Sequence, residues 1–71
     1  MKVYVATKAK VFGPEIYLHV SKSKKDAEKK LRRVYPYMRP TDMVNRDDAL
    51  CFLKDARVNT PDLLFIHEEI I

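Results

Sequence analysis

Residues 2–8 read KVYVATK, with Val3, Val5 and Thr7 on one side and Tyr4 and Ala6 on the other. A period of two is the signature of a strand, and β-branched and aromatic side chains favour it. Residues 15–20, EIYLHV, set Ile16, Leu18 and Val20 against Glu15, Tyr17 and His19. Between them lie Gly13, the only glycine, and Pro14, a pair that marks a turn. Two strands joined this closely predict an antiparallel hairpin. The period then lengthens. Ala27, Leu31, Val34 and Tyr35 recur at i, i+4, i+7 and i+8, one apolar stripe along a helix. Ser23, with Asp26 three residues on, supplies a cap of the capping-box type. Pro36 ends the run, because the residue before a proline is pushed out of helical geometry. The predicted helix spans Lys24 to Val34.

Residues 35–43, YPYMRPTDM, read as an extended linker stiffened by Pro36 and Pro40. Residues 45–57, NRDDALCFLKDAR, predict a second helix. Asn45 suits the cap, Asp47 and Asp48 the first turn, Lys54 and Arg57 the last, and Ala49, Phe52, Leu53 and Ala56 fall at helical spacing. A strand over ALCFL, residues 49–53, is the rival reading. NTPD is a turn, and LLFIHEEII, residues 63–71, is a strand with Leu64, Ile66 and Ile70 on one side. Its near-continuous apolar start predicts a central place in the sheet. The expected fold is α+β: one small ββααβ domain, with a three-stranded antiparallel or mixed sheet and helices packed on one face.

Seventy-one residues allow one modest core and no deep cleft. A single cysteine, Cys51, excludes an internal disulfide and suits a reducing compartment. The apolar run Val3–Ala6 is too brief for a signal-peptide core, and no stretch approaches a bilayer span. A soluble cytoplasmic protein without membrane attachment is expected. The net charge of +4 is uneven. Residues 1–40 hold eleven Lys/Arg and three acids, a balance of +8; residues 41–71 hold three and seven, a balance of −4.

Catalytic chemistry finds little support. His67 and Glu68 are consecutive on a strand, so they face opposite sides and cannot converge on one metal ion. Cys51 sits among apolar neighbours, the setting of an inert buried thiol. One glycine cannot build a phosphate-cradling loop, so no cofactor and no metal are expected. Tyr17 and His19, two residues apart on one strand face, can line a nuclease-like site with Glu15 or Arg39. Surface-facing strand residues account for them equally well, and the reading leans away from an enzyme.

The basic stretch carries the stronger signal. Residues 21–40 hold eight Lys/Arg and two acids. On the predicted helix Lys25, Lys29, Arg32 and Arg33 lie opposite the apolar stripe, with Lys22 just before them. Solvated faces usually mix signs. Here Glu28 can pair with Arg32 and Asp26 with Lys30, leaving Lys25, Lys29 and Arg33 with little compensation. Aligned cations of this kind neutralise phosphates and release counterions. Tyr37 and Arg39 follow, and an aromatic beside a cationic run suits base stacking. The candidate nucleic-acid-binding residues are therefore Lys22, Lys25, Lys29, Arg32, Arg33, Tyr37 and Arg39.

The opening KVYVAT, a second short strand and a helix carrying DAEKKL resemble a class of short phage and prophage accessory proteins. These begin K-V-Y-[IV]-x-T and place an A-E-x-x-[LF] helix after the hairpin. The resemblance covers residues 2–34 and implies a small accessory protein of a phage or mobile element, with no residue roles to carry over. The expected function is non-enzymatic binding of nucleic acid, structured RNA such as tRNA slightly before DNA. The alternative is a host- or defence-modulating protein that binds another protein through its acidic half or a sheet edge. A small nuclease is the third reading, and the oligomeric state stays open.

Overall fold

A computed structural model describes residues 1–10, 13–42, 49–58 and 62–71. Strand β1 (Lys2–Lys10) and β2 (Ile16–Ser21) form the expected antiparallel hairpin. Helix α1 follows over Lys24–Val34, with the predicted bounds. Three more strands follow among the described residues: β3 (Arg39–Pro40), β4 (Ala49–Leu53) and β5 (Asp62–Ile70). All pair antiparallel in one sheet of order β2-β1-β5-β4-β3. Among the described residues the fold is α+β with one helix on a five-stranded sheet, where the sequence predicts three strands and two helices.

The correction falls on residues 49–57. ALCFL is a strand and not part of a helix. Cys51 and Phe52 are adjacent and both buried, on opposite faces of the sheet, so the run is apolar throughout and periodicity cannot separate strand from helix. Asn45, Asp47 and Asp48, which argued for a helix cap, lie outside the described residues. β5 takes the middle of the sheet as its apolar run predicted: Leu63, Leu64, Phe65 and Ile66 are all buried.

Register fixes two faces. Ala6, Leu64, Ile66 and Phe52 point toward α1 and pack with Ala27, Leu31 and Met38. α1 lies over β1, β2 and β5. Tyr35 and Met38, from the segment after the helix, pack on the same cluster and so continue the cover toward Phe52 of β4. On the other face Ala9, Cys51, Leu63 and Phe65 form a second buried cluster. His67 shares that face, stacked on Phe65 with ring centres 5.8 Å apart, and its Nε2 lies 2.9 Å from Glu15 Oε1. Glu68 points the other way and pairs with Lys2 at 2.8 Å, so His67 and Glu68 diverge as strand alternation requires.

β2 contains a bulge. Thr7 pairs with Tyr17 and Ala6 with His19, so Leu18 is the extra residue. A bulge shifts side-chain phase by one. Tyr17 and Val20 therefore share the face away from α1, while Leu18 and His19 both lie on the helix side. This separates Tyr17 from His19, which unbroken alternation would place together.

Candidate nucleic-acid interface

Local chemistry fixes both ends of α1. Ser23 is extended (φ −140°, ψ 157°), and its side-chain oxygen accepts from the Asp26 N–H at 3.1 Å, an N-cap bond that satisfies one orphan donor of the first turn. Asp26 in the first turn and Arg32 and Arg33 in the last complement the helix dipole. The Tyr35 N–H closes the end on the Leu31 carbonyl at 2.7 Å. Ala27 and Leu31 anchor the helix on the sheet, 0% and 1% exposed. Val34 departs from its expected place in the core. It is 66% exposed, and Tyr35 and Met38 pack on the cluster instead.

With that face fixed, Lys25, Lys29 and Arg33 stand on the opposite, solvent side. They rise one turn apart, about 6 Å along the axis at each step. None of the three has an ion pair among the described residues. Lys22 is exposed just ahead of the cap. Lys24 and Lys30, also exposed, flank the row. Lys24 acts on Glu68, whose carboxyl the Lys2 ammonium holds below the usual carboxylate range.

Arg32 is held differently. One guanidinium nitrogen lies 3.0 Å from Glu28 Oε1 and another donates to the Met38 carbonyl at 3.2 Å. It ties the helix to the segment that follows and so stands apart from the unpaired row. Arg39 pairs with Leu53, which packs with the cluster beneath the sheet. Residues paired across strands share a face, so Arg39 lies on the side away from α1.

Tyr37 is 47% exposed, and the Arg57 guanidinium stacks on its ring 3.4 Å from the centroid. The Arg57 Nε lies 3.5 Å from Asp55 Oδ1, and the Tyr37 carbonyl accepts from the Ala56 N–H at 2.9 Å. A groove of about 270 Å³ opens here, lined by Val34, Tyr35, Tyr37, Lys54 and Arg57 among others. Lys54 and Arg57 come from the acidic half, where the sequence predicts the last turn of a helix. Their placement depends on β4 returning the chain to the end of α1, which no local pattern announces.

The nuclease-like grouping does not assemble. His19 lies between β2 and α1, and neither ring nitrogen has a hydrogen-bond partner among the described residues. Burial, then the nearby Lys30 ammonium, pushes its pKa below the ordinary value. Tyr17, Glu15 and Arg39 are on the other side of the sheet. Among the described residues no three His, Cys, Asp or Glu side chains gather to hold a metal ion, and no helix is long and apolar enough to cross a membrane. Family models, curated proteins and solved structures all returned no match to this chain.

Proposed function

We propose that the outward face of α1 binds the phosphate backbone of a nucleic acid. The observation that carries this reading is the row Lys25, Lys29 and Arg33, aligned, exposed and without an ion pair among the described residues. An ordinary solvated face gains small increments from i, i+4 pairs, and Glu28–Arg32 forms one such pair on this helix. The row beside it does not. Cations held at fixed spacing on a rigid helix each displace counterions from a polyanion.

Structured RNA, of the kind tRNA represents, is preferred to DNA because of the groove at the helix end. Tyr37 and Arg57 present a stacked aromatic and guanidinium, the pair of surfaces on which unpaired bases stack. The mode is non-enzymatic. Together with the resemblance of residues 2–34, this supports an accessory protein of a phage or mobile element. The second reading is a protein partner, which the exposed edge of β2 favours.

Titration of a labelled RNA hairpin and a DNA duplex across a salt series tests the proposal. Affinity for both falls linearly on a log–log plot, and the hairpin binds more tightly. Binding that is absent, or indifferent to salt, returns the helix to a solvated face.

A further inference from the structure

The sheet has two unlike edges. β3 is two residues long and includes Pro40, which cannot donate to a ladder, so this edge is blunted in the usual way. β2 is six residues, IYLHVS, with no proline and no charge inside it. Among the described residues no strand pairs with its outer side. Ile16, Tyr17 and Val20 are 59%, 71% and 54% exposed along it. An apolar, uncharged edge is a template for a further strand.

The bulge at Leu18 selects which strand. A bulged edge fits a regular strand poorly, because the extra residue breaks the register. A strand with the same extra residue at the same place has no mismatch, and the strand that carries it is β2 of another copy. Antiparallel pairing about a two-fold axis between Leu18 and His19 sets Tyr17 opposite Val20 of the second copy, and Ile16 opposite Ser21. Because the bulge puts Tyr17 and Val20 on one face, both Tyr–Val pairs form, an aromatic against a β-branched residue. The same register sets Glu15, at the start of the strand, opposite Lys22 of the second copy, at its end. A parallel arrangement instead aligns like charges.

We infer that β2 is a self-association edge, through which two copies join their sheets into one of ten strands. The axis is perpendicular to the sheet, so both α1 helices stand on the same side. This inference rests on β2 alone and does not depend on the polyanion reading.

Charge substitution tests the edge and its register together. Sedimentation of the wild-type chain from micromolar to about 1 mM shows a monomer–dimer equilibrium, since a strand edge of this length gives modest affinity. Tyr17→Lys with Val20→Lys places lysine opposite lysine twice and weakens dimerisation about tenfold or more. Tyr17→Lys with Val20→Glu removes the same apolar groups but places lysine opposite glutamate, and recovers most of that loss. Circular dichroism establishes that both variants fold, and should either fail to, hydrogen exchange of the wild type decides. Its amides from Ile16 to Ser21 gain protection with concentration if β2 is the edge. A wild type that stays monomeric at about 1 mM, folded double variants that associate equally, or exchange at β2 indifferent to concentration overturns the inference. Capture of a foreign strand by a chain that does not self-associate also counts against it.

Discussion

Arg32 and Arg33 are neighbours in the chain and both exposed, but among the described residues only Arg32 is tied to other groups of the protein. Arg32 bonds Glu28 and the Met38 carbonyl, while Arg33 faces solvent. Arg32→Met should therefore lower stability by about 1 kcal/mol, a partly exposed and screened contribution, and leave the salt slope of binding in place. Arg33→Met should do the reverse, as parallel melts and titrations would show. Leu31 and Lys29 separate more widely. Leu31→Ala removes a side chain 1% exposed and should cost about 2–5 kcal/mol, whereas Lys29→Ala should stay within about 0.5 kcal/mol. Equal losses in thermal melts would mean the helix is docked in a different phase. His19 gives a pH signature. Its folded pKa lies below the ordinary 6.5, through burial and then Lys30. Above that value both states are neutral and stability is complete. Below it the unfolded chain takes up the proton first, so stability falls as pH drops from 6.5 through the lowered folded value. The melting temperature between about pH 8 and pH 5 should decline less in His19→Gln than in the wild type; parallel declines would show that His19 is not the group responsible.

Elements differ in how much of themselves the sequence reveals. α1 is legible to the residue because cap, stripe and terminating proline agree. The hairpin is legible too, but its bulge is not: IYLHVS alternates without a flaw, and only pairing with β1 shows Leu18 to be extra. β4 is ambiguous because Cys51 and Phe52 are buried on opposite faces and the run is apolar throughout, and the two-residue β3 is defined by β4 alone. The candidate site divides along the same line. Its helical cations follow from local periodicity, whereas the partnership of Tyr37 with Arg57 spans twenty residues of sequence and depends on the sheet. That groove has its own test. Tyr37→Ala should weaken single-stranded or looped RNA by about 1–3 kcal/mol and leave duplex DNA unchanged, as stacking on an aromatic requires. An equal loss on both ligands would assign Tyr37 to the fold.

At the scale of the whole molecule, the basic and acidic halves of the chain do not become two lobes. β5, from the acidic half, lies between β1 and β4. Glu68 pairs with Lys2, Asp62 with Lys54 and Asp55 with Arg57, so these acids are partly compensated where they stand. Lys25, Lys29 and Arg33, which have no ion pair among the described residues, share the outer face of one helix. The measurement that bears most directly on phosphate binding by that face is the salt dependence of RNA binding by the wild type and by the variant Lys25→Glu, Lys29→Glu, Arg33→Glu. Glutamate is as good a helix former as lysine, and the three positions contribute no packing, so circular dichroism should show an intact fold. Phosphate binding by that face requires that affinity collapse and that the log–log salt slope fall by about 2–3 units. A folded variant that binds as the wild type does, with the same slope, would contradict it.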